Sequence, residues 1–211
     1  MKLSLDFGPD FDLHPGITLR LTGSGLSQTQ FEDVCRRNDG FRFEREPSGE
    51  LIVRPLMGGA CGLHLAALNT QVAAWAAQTG AGVPLGTGAA MRLRNGAVRS
   101  PGAACVGAER WAALREPRSC CLPFCADWVA EIVSPFDDRA VLVDKMLEYR
   151  EGGARLAWLF DPSWRTVDVF RPHEPVRRLE NMTHITEMHP SPVLPGFVLD
   201  LRRVWNAGAV I

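Results

Sequence analysis

Three side chains stand out because their type and place suit chemistry better than plain packing: Glu131, Lys145 and Tyr149. Glu131 interrupts the run Trp128-Val129-Ala130-Glu131-Ile132-Val133, whose other members are apolar and mostly β-prone. A carboxylate inside such a run needs a partner, because an unpaired buried charge is costly. Lys145 is marked by rarity. Of 23 basic residues 21 are Arg, and the only lysines are Lys2 and Lys145. An ammonium is a compact point charge whose pKa can move, whereas a guanidinium is a broad fork that stays charged. Lys145 is therefore a candidate for a place where Arg will not serve, against the plain alternative of chance in an Arg-rich composition. Tyr149, the only tyrosine, follows one turn later on the same helical face. A carboxylate can hold a hard cation, and an ammonium can stabilise developing negative charge. The same two groups can equally form a structural salt bridge.

These residues need a scaffold, and residues 128–162 supply one. The run 129–133 predicts a strand, which Ser134-Pro135 stops. Asp137 and Asp138 offer a helix N-cap and negative charge in the first turn. Leu142, Met146 and Tyr149 recur at helical spacing, and Gly152-Gly153 ends the helix. Leu156 to Phe160 is apolar throughout, as suits a strand covered on both faces. Strand, helix and strand with short connections form a βαβ unit, so the two strands are expected to pair in parallel. The expected sheet neighbours are 103–106, 128–133 and 156–160, crossed by a helix over 138–150.

Earlier in the chain, residues 1–23 read as extended and turn-rich. A helix is expected from Ser27 to Arg37, then a hairpin of Phe41–Arg45 with Leu51–Val53. A glycine-bearing loop at 55–62 leads into an amphipathic helix over 63–78. Short β-candidates follow at 83–85, 90–93, 97–99 and 103–106, with Asn95-Gly96 a hairpin signal. Residues 111–122 read as one short helix and a loop. Beyond the βαβ unit come a hairpin of 167–170 with 176–179, an extended piece at 192–199 and a helical turn at 201–205.

Composition narrows the class. At 211 residues, 46% hydrophobic and 22% charged, the chain can bury a sufficient core as one soluble α/β domain. A net charge of −1 provides no overall field toward nucleic acid or anionic membrane. Residues 92–118 hold six Arg against two acids, the only basic concentration, and a solvated face is its bland reading. The longest apolar-rich stretch, 63–77, contains His64, Asn69, Thr70 and Gln71, which argues against a membrane span. The first residues carry one Lys and three Asp and resemble neither a signal nor a transit peptide, so a cytoplasmic location is expected. The six cysteines form no CxxC pair, and neither the Cys120-Cys121-x-x-x-Cys125 cluster nor the five histidines show zinc spacing. Reduced, buried cysteine is the expectation.

Taken together, several short motifs resemble the Uma-type restriction endonuclease family of the PD-(D/E)XK nuclease superfamily. They are Arg45–Val53 (REPSGELIV), Gly58-Gly59, Leu93–Pro101 (LRNGAVRSP), Glu131–Pro135 (EIVSP) with Lys145 and Tyr149, Gly153–Pro162 (GARLAWLFDP) and Leu194–Leu201 (LPGFVLDL). They occur in family order over about residues 26 to 206. The resemblance implies a restriction-endonuclease-like α+β fold, a mixed sheet flanked by helices, forming one domain over 1–211 with 1–25 as an N-terminal extension. It also implies Mg²⁺-dependent hydrolysis of DNA phosphodiesters, with Glu131 as metal ligand and catalytic residue, Lys145 as catalytic cation and Tyr149 beside them. Such hydrolysis uses one or two Mg²⁺ ions, held by carboxylates and water, to stabilise charge and activate a water molecule. In the wider superfamily the Lys follows two residues after the second acid, which here is Val133, and Lys145 of the next helix takes that role.

The departures from the family pattern are as informative. Where the family reads Arg-Ser-Pro-Asp, this chain has Arg99-Ser100-Pro101-Gly102, and glycine has no side-chain oxygen. Where relatives tend to read Gly-Gly-Glu-Thr-Gly, it has Gly58-Gly59-Ala60-Cys61-Gly62. Gly102 and Ala60 thus occupy positions of expected acids, leaving an incomplete Mg²⁺ ligand set. Three readings follow: an active nuclease in which Glu44 or Glu50 replaces the missing Asp; a non-catalytic nuclease fold binding DNA or a protein partner, with homo-oligomerisation open; and an unrelated α/β domain with Glu131 in a salt bridge.

Overall fold

The computed structural model describes residues 19–38, 41–54, 58–114, 121–187, 189–190 and 192–208. Among the described residues β1 (Leu19–Leu21) and α1 (Gln28–Arg37) come first, and most of the stretch 1–23, expected to be extended and turn-rich, falls outside them. Ser27 caps α1 reciprocally: its hydroxyl accepts from the Gln30 N–H at 3.3 Å, and the Gln30 side chain accepts from the Ser27 N–H at 2.8 Å. The period-two run then forms β2 (Arg42–Arg45), paired antiparallel with β3 (Leu51–Arg54). α2 (Gly59–Thr79) starts four residues before the expected Leu63 and stops at Gly80, whose φ of 65° is left-handed. Next come β4 (Gly82–Leu85), β5 (Met91–Arg92), β6 (Val98–Arg99), β7 (Ala103–Gly107) and α3 (Ala108–Ala112). α3 overlaps the start of the stretch 111–122, where one short helix and a loop are expected, and residues 115–120 of that stretch, Cys120 among them, fall outside the described residues.

The second half contains β8 (Trp128–Ile132), α4 (Arg139–Gly152), β9 (Leu156–Asp161), β10 (Thr166–Phe170), β11 (Arg177–Glu180), β12 (His184–Thr186), β13 (Val198–Asp200) and α5 (Leu201–Trp205). β8 and β9 pair in parallel from Trp128 opposite Leu156 to Ile132 opposite Phe160, so the βαβ unit exists as expected. β7 lies antiparallel on the other side of β8. The extended piece predicted at 192–199 becomes a strand only at β13.

Among the described residues the strands form three sheets, the largest of them the expected mixed sheet. A six-stranded mixed sheet runs β11-β10-β9-β8-β7-β4, a five-stranded one runs β1-β3-β2-β6-β5, and β12 pairs with β13. The β5–β6 hairpin turns at Gly96, whose φ is 87°, and joins the N-terminal hairpin through Val98 opposite Arg45.

Strand periodicity sorts side chains between two layers of core. Trp128, Ala130 and Ile132 face a core shared with Leu68, Trp75, Trp158 and Phe160, where Trp128 and Trp158 meet edge-on at 5.5 Å. Val129 and Leu159 face the opposite core, built with Leu142, Met146 and Tyr149 of α4. Glu131 is in step with Val129, so the ladder turns it toward α4. On β2 and β3 the residues Phe43, Leu51 and Val53 pack against Phe31 and Val34 of α1. Glu44, between Phe43 and Arg45, therefore takes the other face of that sheet.

Candidate functional site

Two sheets and one helix converge on a buried ammonium. α4 is started by Asp138, whose side chain accepts from the Ala140 N–H at 2.8 Å, and ended by Gly153 at φ 119°. Along its buried face Lys145 and Tyr149 stand four residues apart. The Lys145 side chain is 8% exposed, and its Nζ lies 2.7 Å from Glu131 Oε1 and 2.8 Å from Glu44 Oε1. One carboxylate comes from the six-stranded sheet and the other from the five-stranded sheet.

Every carboxylate oxygen in this centre already accepts. Glu44 Oε1 takes the Lys145 ammonium and the Ser100 N–H at 3.0 Å, and Oε2 takes Arg54 Nε at 2.8 Å. Glu131 Oε1 takes Lys145 and the Tyr149 hydroxyl at 3.2 Å, and Oε2 takes the Gly102 N–H at 3.2 Å. Two carboxylates thus meet two cations, Lys145 and Arg54, within hydrogen-bonding distance. Around them, Arg99 donates to Glu46 and Glu148, each at 2.5 Å, and Arg42 donates to the Ser100 carbonyl at 3.1 Å.

The electrostatics follow from this arrangement. Burial alone would raise the Glu44 carboxyl, but the charges of Lys145, Arg54 and Arg99, with the Lys145 hydrogen bond, hold it at about 2. Burial and the neighbouring Glu131 and Glu44 charges push the Tyr149 hydroxyl well above its ordinary value of 10.0, so it is a neutral donor. Burial would lower Arg54, but the Glu44 charge and hydrogen bond raise it.

The sequence candidates are distributed as follows. Glu131, Lys145 and Tyr149 come together. Gly102 lies beside Glu131 but contributes only its amide. A Cβ built there would sit 2.8 Å from Leu65 Cδ2 and 3.3 Å from the Ala130 carbonyl oxygen, so a Leu methyl fills the space a side chain would enter. Ala60 is exposed in the first turn of α2. Val133 packs against the core beneath α4 while its N–H donates to the Phe160 carbonyl. Of the two suggested replacement acids, Glu44 is in the centre, whereas Glu50 sits in the β2–β3 turn with its carbonyl accepting from the Glu46 N–H. Arg54 is not among the residues the sequence singled out, and Arg99, part of the Arg-Ser-Pro motif, turns out to be a buried ion-pair partner. The signal for Arg54 was present: it is the polar end of the apolar run 51–53, diagonal to Glu44 across the hairpin.

Other sequence features resolve into structure. Within the basic stretch Arg99 is buried in ion pairs and Arg110 pairs with Asp127 at 2.9 Å over the Phe124 ring, while Arg92 and Arg94 are exposed and Arg115 and Arg118 lie outside the described residues. His64 Nδ1 is 2.6 Å from the Val204 carbonyl, which ties α2 to α5. Burial pushes the Cys105 and Cys125 thiols up to about 12, leaving them inert. Among the described residues no three Cys, His, Asp or Glu side chains gather as a metal ligand set, and no helix is long and apolar enough to cross a membrane.

Comparison with known proteins places the chain in a family. Residues 28–202 match the family model described as "Uma2: Putative restriction endonuclease". Among solved structures, the chain is similar to one described as a putative nuclease belonging to DUF820 from Anabaena variabilis. The two share 16% identity at a TM-score of 0.65, over 78% of this chain and 89% of that one. No curated protein matches.

Proposed function

The chain belongs to the Uma2 restriction endonuclease family, and on that premise we propose that it is a nuclease-fold protein that binds nucleic acid without cleaving it. The observation that carries this reading is the Lys145 ammonium, seated where the Glu44 and Glu131 carboxylates converge. Mg²⁺ demands near-octahedral oxygen ligands and gives up water reluctantly. Here Lys145 and Arg54 already neutralise both carboxylates, so no surplus negative charge remains to draw in a divalent ion. Gly102 adds no oxygen, and Leu65 fills the adjoining space. The residues present do not fit Mg²⁺. The ammonium does the electrostatic task of a cation, but it cannot lower the pKa of a bound water as a metal does.

One rival draws on the same geometry: an active nuclease in which Glu44 takes the place of the missing Asp. A single experiment separates the two. Purified protein is incubated with supercoiled and linear DNA in Mg²⁺ and in Mn²⁺, and cleavage and mobility shift are followed together. Binding without cleavage is the expected result. Metal-dependent cleavage that disappears in Glu131→Gln would establish the rival.

A further inference from the structure

The buried centre leaves unexplained a cleft of about 480 Å³ at the far end of β9, a volume typical of small-molecule pockets. Its floor is a row of three residues in register on neighbouring strands: Asp161 on β9, Thr166 on β10 and Glu180 on β11. Directly opposed residues share a sheet face, so these side chains point the same way. Arg139, the first residue of α4, closes one side, and Arg178 and Asn181 complete the lining.

Trp164 stands at the mouth, 77% exposed, while Trp75, Trp128 and Trp158 are buried. Its position in the β9–β10 turn is fixed. Asp161 Oδ1 accepts from the Ser163 N–H at 3.1 Å and the Trp164 N–H at 3.3 Å, an Asx-type turn. The next residue, Arg165, has a left-handed φ of 50°, as has Asn181 at 52°, and the Asn181 N–H donates to the Arg165 carbonyl at 3.3 Å. Left-handed backbone at a residue such as Arg is uncommon.

The charges select among ligands. Arg139 and Arg178 both donate to the buried Asp168, which orients them and leaves further N–H groups on each guanidinium. Asp161 and Glu180 in the lining, with Asp168 behind, outnumber these two cations, so a bare phosphate finds no excess positive charge. A flat, neutral heterocycle with mixed donors and acceptors on its edge finds a π-face to stack on and an amide, a carboxylate and guanidinium groups to bond.

We propose that this cleft takes one unpaired base of a single-stranded nucleic acid, stacked on the Trp164 indole with its edge toward Asn181 and Glu180. The inference rests on the nucleic-acid reading above for the ligand class, and the cleft narrows it. A paired base hides its edge in the partner and both faces in the stack, whereas an unpaired base offers all of them.

The test uses the whole chain with an end-labelled mixed-sequence oligonucleotide, single-stranded and as its duplex, at one fixed salt concentration. Anisotropy gives affinity, and the part of the intrinsic fluorescence change that is lost in Trp164→Ala reports that indole, one of six in the chain. The single strand should bind more tightly and quench the fluorescence. Trp164→Ala should weaken it roughly tenfold, the scale of one base–aromatic stack, leaving duplex affinity and melting temperature unchanged. Trp164→Phe should retain most of the affinity. If Trp164→Ala binds the single strand as well as the natural chain does, or if the natural chain binds only duplex, the cleft assignment is overturned while the nucleic-acid reading stands. If the natural chain binds neither form, both are overturned.

Discussion

At the residue scale, the centre is an ion-pair network in which each member leans on the others. Breaking a buried pair by removing one partner costs about 3–5 kcal/mol, because the survivor is left charged and unpaired. Lys145→Met is expected to cost this much in denaturant unfolding. The quadruple variant Glu44→Gln, Glu131→Gln, Lys145→Met, Arg54→Met should recover a large part of it, since all four charges of the centre leave together. A quadruple variant no more stable than Lys145→Met would show that the shape of the centre, rather than its charge, sets its stability. The Glu44 carboxyl lies at about 2, against an ordinary 4.5. A lowered carboxyl stabilises the fold fully above its unfolded value, and that stability is lost as pH falls through the folded value. The shift corresponds to about 3 kcal/mol, present above about pH 5 and draining away toward pH 2. Unfolding free energies at pH 6 and pH 3 should therefore diverge more for the natural chain than for Glu44→Gln. Equal slopes would mean that another acid governs acid sensitivity. Glu131, Lys145 and Tyr149 were legible in the sequence because strand and helix periodicity act locally. The Lys145–Glu44 bond was not, since it spans 101 residues and no local pattern encodes which face of one sheet meets the next.

At the element scale, β8, α4 and β9 announced themselves through an apolar strand, an Asp cap, a helical stripe and a Gly stop. The start of α2 did not. Gly58-Gly59-Ala60-Cys61-Gly62 has turn composition, yet the helix runs through it from Gly59, an override of weak propensity by tertiary packing. β12 was also hidden, because three residues, His184-Ile185-Thr186, are too short to show alternation. The packing of α2 on β8 also determines what Gly102 can become. Gly102→Asp alone should destabilise the fold by about 1–3 kcal/mol, the usual scale of overpacking, because its Cβ meets the Leu65 methyls. Adding Leu65→Ala removes the clash, so the double variant should be more stable than the two single losses summed. Calorimetric titration with Mn²⁺ should give a saturable isotherm for the double variant and none for the natural chain. Saturable binding by the natural chain would refute the ammonium-for-metal reading.

At the scale of the whole molecule, the same helix fastens both large sheets. Lys145 reaches Glu44 on β2, and Glu148 reaches Arg99 on β6, so α4 carries two ionic ties from the six-stranded to the five-stranded sheet. Hydrogen exchange should show this coupling. In Lys145→Met the amides of β2, β3 and β6 should lose more protection than those of β9 and β10, where the ladder and two apolar cores remain. A uniform loss across both sheets would mean that the ties do not hold the layers separately.

The scarcity of lysine gives the protein an unusual chemical fingerprint. Of its two lysines, only Lys145 lies among the described residues, and its side chain is 8% exposed. Acylating reagents need a free, uncharged amine, and here the amine is clasped by two carboxylates inside the fold. Acetylation of Lys145 should then proceed only when the layers separate, so its rate, read by mass spectrometry of a single peptide, becomes a clock for opening events. The same peptide from the protein unfolded in denaturant serves as the reference. Lys145 reacting as fast in the native protein as in the unfolded chain would show that the ammonium is reachable without opening.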